Sequence, residues 1–159
     1  MSINLFRFLT LILSLSLFIF DQISKMYVIK NLDFFANGYQ MFPFLNLVFV
    51  TNKGISFGLL SNFDISFYLG MISILISFAI LVWIFKSQKK EEIIALSLIL
   101  GGALGNGIDR IKDRFVIDFI DLHLFGYHWP SFNLADTFIT IGAIILIFFN
   151  FRSYEFRKK

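Results

Sequence analysis

The sequence predicts a polytopic α-helical membrane protein, with four transmembrane helices and a small strand-bearing portion on the outer face. Three observations carry this reading. Hydrophobic residues make up 57% of 159 positions, more apolar surface than one domain of this length can hide from water. Mean hydropathy is +0.77 and charged residues are only 16%, so lipid is the solvent that fits the chain. Four apolar stretches each approach the roughly 20 residues needed to cross a bilayer core of about 30 Å.

The first stretch covers about residues 6–26. Arg7 ahead of an apolar run imitates a signal peptide, but no small-residue cleavage site follows and three further spans do, so the stretch is read as a retained helix. The second, 65–85, contains no charge and closes on Lys86, Lys89 and Lys90. The third begins after Glu91 and Glu92, covers 93–110 and ends at Asp109 and Arg110. The fourth covers 134–151 and is followed by Arg152, Arg157, Lys158 and Lys159. Four spans put both termini on one side. Placing them inside collects eight of the Lys and Arg residues there, including Arg7 and the cluster at 86–90, against six outside, so the expected topology is N-in and C-in.

Two segments then lie outside, 27–64 and 109–133. In the first, 44–50 is rich in β-branched and aromatic residues, and Asn52-Lys53-Gly54 supplies turn chemistry before 55–60, so a hairpin or curled sheet is expected there. In the second, Phe115-Val116-Ile117 is a short strand candidate, and Tyr127, Trp129 and Phe132 suit the headgroup level. There is no internal repeat or linker, and residues 1–159 read as one domain.

Composition also narrows the chemistry. With no cysteine there is no disulfide, thiol nucleophile or thiolate metal site. The net charge of +3 does not point to nucleic acid, because the basic residues gather at helix ends and the C-terminus instead of forming a stripe with stacking aromatics. All eight aspartates fall on the outer side or at outer helix ends, and all three glutamates on the other. Ionisable groups at membrane depth cost about 2.5–3.5 kcal/mol each and persist mainly where they pair or act, so the outer boundary is where a site belongs.

Four patterns converge on that boundary. Asp21 and Lys25 are four residues apart and share a helix face, where they can neutralise each other. Asn52 to Gly58 reads equally as a plain turn or as a substrate-binding one. The run from Gly101 to Arg110 has small residues that let helices approach closely, with Asn106, Asp109 and Arg110 on one face able to organise a polar network. Finally, Asp118 is bracketed by Ile117 and Phe119, while Asn133 can cap the last span with Asp136 three residues on. Two carboxylates meeting in a partly desolvated place share a proton, so that one takes a proton from water while the other gives one to a carbonyl or leaving amine. This is peptide hydrolysis by an aspartic route, and it needs no metal or cofactor. A metal site built on His123 and His128 with Asp118, Asp121 or Asp136 is a weaker reading, since no H-E-x-x-H pattern exists. No serine sits in a nucleophile elbow.

The motifs in order, Asp21 to Lys25, Asn52 to Gly58, Gly105 to Arg110, Val116 to Phe119 and Phe132 to Asp136, resemble those of the bacterial lipoprotein signal peptidases, or signal peptidase II. The resemblance covers essentially the whole chain. It implies Asp118 and Asp136 as the catalytic dyad, with Asp21, Lys25, Asn52, Gly54, Gly102, Asn106, Arg110, Asn133 and Ala135 lining or supporting the site. It implies an outer β-cradle over about 34–60, a short helix resting on the membrane, and a location in the bacterial cytoplasmic membrane with the site facing outward. The implied substrate is a prolipoprotein whose lipobox cysteine carries a diacylglyceryl group, cut just before that cysteine by a monomeric enzyme among membrane lipids, with no cofactor. Ser56 stands where the family usually has Ala. Motif register selects Asp118 over Asp121, and the helix dipole makes Asp136 the expected first base. A transporter or channel subunit using acids as a proton relay would spread them through the bundle, and a scaffold would need no pair at all.

Overall fold

The computed structural model describes residues 1–54 and 65–157, with side chains as far as 151. The helix α1 (Ile3–Lys30) opens on Ser2, whose hydroxyl accepts from the Leu5 N–H, and is followed by the short α2 (Leu32–Ala36). The strands β1 (Tyr39–Phe42) and β2 (Leu45–Asn52) come next, then α3 (Ser66–Lys86) and α4 (Lys90–Lys112). The strands β3 (Val116–Leu124) and β4 (Tyr127–His128) precede α5 (Leu134–Arg157). Among the described residues, α1, α3, α4 and the 134–151 part of α5 are long and apolar enough to span a membrane. Each expected span is present; α1 and α4 overrun the expected limits at both ends and α5 at its C-terminal end, while α3 is offset by one residue.

The bundle is organised round α4, which packs against α1, α3 and α5. Its buried face is Gly101, Gly102, Ala103, Gly105, Asn106 and Gly107, residues small enough for backbones to come close. The face of α1 turned inward is the polar one: Arg7, Thr10, Ser14, Asp21, Lys25 and Val28 are buried at helical spacing while Phe8, Leu15, Ile19 and Phe20 are exposed. In lipid the apolar surface has no reason to hide, so polar groups turn to one another. Ser14 Oγ donates to Ser97 O at 2.8 Å, and Ser73 Oγ donates to Ala103 O at 2.8 Å, pinning α1 and α3 to α4. At the inner end, Ile80, Ile84, Ile93, Leu96 and Leu100 form an apolar cluster, and Arg7 Nη2 donates to Ser87 O at 2.8 Å.

The outer sheet draws on both outer segments. Its order is β1-β2-β3-β4, all antiparallel, so half of it comes from the segment between α4 and α5 and not from 34–60. The hairpin turn between β1 and β2 falls at Pro43-Phe44, which removes Phe44 from the strand, and β2 ends at Asn52, ahead of Lys53-Gly54. The expected strand at 55–60, with Ser56, lies outside the described residues. The third strand is far longer than Phe115-Val116-Ile117 and passes through Asp118. It pairs Leu47 with Ile120 and Val50 with Asp118, so β2 carries one extra residue opposite Phe119. Such a bulge re-aims side chains beside it. Phe125 and Gly126 both take positive φ, the two-residue turn that suits the twist of a hairpin.

One face of β3 packs Ile117 and Phe119 against Val28 and Phe35. The alternation of a strand therefore sends Val116, Asp118 and Leu122 to the other face, where they line a groove of about 950 Å³. The groove runs under the sheet and over α4, between Ser73 of α3 and Thr137, Ile139, Thr140 and Ile141 of α5.

Candidate active site

Asp118 and Asp136 both line this groove. One residue holds them both. Asn133 is fully buried, and the segment carrying it pairs with β3, since Phe119 and Ile120 donate N–H to Phe132 O at 3.0 and 2.9 Å. That pairing sets Asn133 beside Asp118, and its Nδ2 donates to Asp118 Oδ1 at 2.7 Å. The start of α5 sets it against Asp136 as a reciprocal capping box. The Asp136 N–H donates to Asn133 Oδ1 at 3.0 Å, and the Asn133 N–H donates to Asp136 Oδ2 at 3.2 Å. The capping box that opens α5 therefore also brings Asp136 and Asp118 to the same residue.

The remaining oxygens also have donors. Asn52 Nδ2 donates to Asp118 Oδ2 at 3.0 Å, and Asn106 Nδ2 donates to Asp136 Oδ1 at 2.8 Å. Asn52 is itself held: its Oδ1 accepts the Gly54 N–H at 3.0 Å, and Gly54 O accepts from Arg110 Nη2 at 3.0 Å. Asp118 is 2% exposed, and its carboxyl is pushed up to about 6 from 3.8, first by burial and then by the charge of Asp136. The amides of Asn52 and Asn133 and the more distant Lys25 oppose the shift without cancelling it.

Behind the groove lies a second polar layer. Lys25 is 3% exposed and Asp21 fully buried; Lys25 Nζ donates to Asp21 Oδ2 at 2.7 Å, Asp109 Oδ2 at 2.6 Å and Asn106 Oδ1 at 2.9 Å. The other Asp21 oxygen accepts the Ala135 N–H at 2.9 Å, so α1 helps fix the first turn of α5. Close approach requires the glycines. A Cβ at Gly105 would sit 2.5 Å from Asp21 Oδ2, and one at Gly102 would sit 2.3 Å from Ala135 O.

The structure therefore gathers Asp21, Lys25, Asn52, Gly54, Gly102, Asn106, Arg110, Asp118, Asn133, Ala135 and Asp136 into one connected assembly. Asp121 stands apart on the opposite face of β3, taking Asn46 Nδ2 at 2.9 Å and lying 2.9 Å from His128 Nδ1. Among the described residues no group of His and acidic side chains has metal-binding geometry. Sequence reasoning missed Gln22, whose Nε2 donates to Asp109 Oδ1 at 2.9 Å. A lone amide inside an apolar span was the signal for it.

The family described as signal peptidase (SPase) II matches residues 13–152. The lipoprotein signal peptidase of Pelagibacter ubique is 46% identical over 161 residues, covering 93% of each chain, and that of Syntrophotalea carbinolica is 35% identical over 96% of each. A bacterial membrane enzyme solved in meso at 2.3 Å resolution superposes with a TM-score of 0.80 at 34% identity, covering 91% of this chain and 88% of that one. A second, at 1.9 Å resolution, gives 0.72 at 36% identity, covering 87% and 90%. With this fold, these spans and these relatives, the chain belongs to the signal peptidase II family.

Proposed function

We propose that this signal peptidase acts on prolipoproteins whose lipobox cysteine already carries a diacylglyceryl group, cutting just before that cysteine, and that Asp118 and Asp136 share the chemistry. The observation that carries the reading is Asn133, which ties both carboxyl groups to one short segment inside one groove. Asp118, whose carboxyl is pushed up to about 6 by burial and by the charge of Asp136, shares one proton with Asp136, and the N-terminus of α5 favours the ionised form of Asp136, which makes it the base. Asp136 takes a proton from water as the oxygen attacks the scissile carbonyl carbon, while Asp118 gives its proton to the carbonyl oxygen. Collapse of the tetrahedral species breaks the C–N bond; the proton on Asp136 passes to the departing amine and the hydroxyl proton returns to Asp118. No cofactor takes part.

The substrate is amphipathic, as is the groove. Asn52, Arg110 and the two acids stand at its polar end, and Thr137, Ile139, Thr140 and Ile141 continue it along a membrane-spanning helix. A lipidated signal peptide has the same order, an apolar helix ending in a polar cleavage site at headgroup depth. The bias of basic residues toward the termini and the 86–90 cluster supports termini in the cytoplasm and a groove on the outer side of a bacterial cytoplasmic membrane. The test is purified protein in detergent with matched prolipoproteins, one diacylglyceryl-modified and one not, and mass spectrometry of the products. Cleavage before the lipidated cysteine is expected; equal cleavage of the unmodified form, or a cut elsewhere, contradicts the reading.

A further inference from the structure

We infer that Lys25 is a positioning residue that decides which way the Asn106 amide faces, and so which atom meets Asp136. The inference rests on the dyad reading above. An ammonium group has three N–H donors and no acceptor, and all three on Lys25 are used, on Asp21, Asp109 and Asn106. An Asn side chain carries an oxygen at one end and an NH2 at the other, with nothing internal to prefer either orientation. At Asn106 a cation stands on one side and a carboxylate on the other. Oδ1 therefore faces Lys25 at 2.9 Å, and Nδ2 is left to donate to Asp136 Oδ1 at 2.8 Å.

The same polarity runs onward. Asn133 Nδ2 donates to Asn106 Oδ1 at 3.2 Å and to Asp118 Oδ1 at 2.7 Å, and Asn133 Oδ1 accepts the Asp136 N–H. The chain of contacts starts at the donor-only ammonium of Lys25 and ends on the carboxyl groups of Asp118 and Asp136, and Lys25 is what fixes the Oδ1 end of Asn106. Charge-assisted bonds are roughly twice as strong as neutral ones. Without Nζ, Asn106 Oδ1 keeps only the long contact from Asn133, whose Nδ2 is shared with Asp118. A reversed amide would then set its oxygen against the Asp136 carboxylate.

A double-mutant cycle tests this, with steady-state cleavage of a diacylglyceryl-modified prolipoprotein by the parent, Lys25→Met, Asn106→Ala and the pair together. Each single change is expected to lower kcat by about tenfold or more with KM within about threefold, and the double variant to be no slower than the slower single one. Losses that multiply, or a change confined to KM, overturn the inference, because Lys25 would then act independently of Asn106. Removing Lys25 leaves Asp21 and Asp109 without their shared cation, so the cycle is repeated in an Asp109→Asn background, which restores the net buried charge and keeps the comparison among folded proteins. Asp118→Asn and Asp136→Asn run alongside. Activity in those variants would sink the dyad reading itself, whereas inactive dyad variants with a multiplicative cycle would sink only the role given to Lys25.

Discussion

Gly102→Ala is the smallest change that should move a site carboxylate without touching it. The added Cβ would lie 2.3 Å from Ala135 O and 2.8 Å from Ile139 Cγ1, against an ordinary contact of 3.4 Å or more. The first of these is a backbone atom one residue before Asp136, so no side-chain rotation relieves it, and α5 must retreat from α4 by about 1 Å near the first turn of α5. Overpacking of this kind costs about 1–3 kcal/mol, which a folded bundle can absorb. A misplacement of about 1 Å at reacting groups can cost on the order of a hundredfold in rate, which catalysis cannot absorb. Gly142→Ala is the control, since its Cβ would meet Ala95 O at 2.7 Å on the same helix seam but two turns away from Asp136. Thermal unfolding in detergent and turnover of a lipidated prolipoprotein are measured on both. Similar destabilisation with a far larger loss of turnover in Gly102→Ala is expected. Parental turnover in Gly102→Ala, or equal losses in both, would refute the claim that this approach positions Asp136.

The remaining predictions concern charge. Because folding raises the Asp118 pKa from 3.8 to about 6, its stabilising contribution is complete below pH 3.8 and is lost as pH rises through about 6. Asp118→Asn removes that dependence, so its stability relative to the parent should improve by up to ~3 kcal/mol between about pH 4 and pH 7, and a difference that stays flat would contradict the burial argument. Asp21→Ala leaves Lys25 with one acid and the Ala135 N–H without its acceptor, and should lower stability by about 3 kcal/mol in chemical unfolding; a near-neutral change would show the buried pair to be idle. Asp121→Asn should keep turnover within about threefold, since Asp121 faces Asn46 and His128 and not the groove, and inactivation would reopen the choice between Asp118 and Asp121.

The four spans were legible because hydropathy reports the solvent a helix must face, and lipid leaves little ambiguity. Their ends were not, because Gln22, Ser24 and Lys25 lower hydropathy without interrupting α1, which runs on to Lys30 with its polar face inward. Hydropathy also says nothing about partners, so the reach of Lys25 from α1 to Asp109 and Asn106 on α4 was out of sight although Asp21 and Lys25 were visibly paired. The sheet was the least legible part. Pro43-Phe44 carries none of the Asn-Gly chemistry that marks a tight hairpin, whereas Asn52-Lys53-Gly54 does, and the β2 to β3 pairing joins residues some seventy positions apart. The first half of β3 is buried on both faces and shows no alternation, which hid its length. The order of motifs singled out residues that spacing alone left open between capping and chemistry, and these are the residues that the structure brings together. Asn133 and Asp136 form one hydrogen-bonded capping box, and Asn133 also reaches Asp118.

Single-turnover cleavage of a diacylglyceryl-modified prolipoprotein by Asp118→Asn and Asp136→Asn, each with its fold checked by thermal unfolding, bears most directly on the claim that two acids act as one unit. The account predicts that either change alone lowers the rate by about a thousandfold or more and that the double variant is scarcely slower, as groups acting together require. Cleavage near the parental rate by either variant would contradict it.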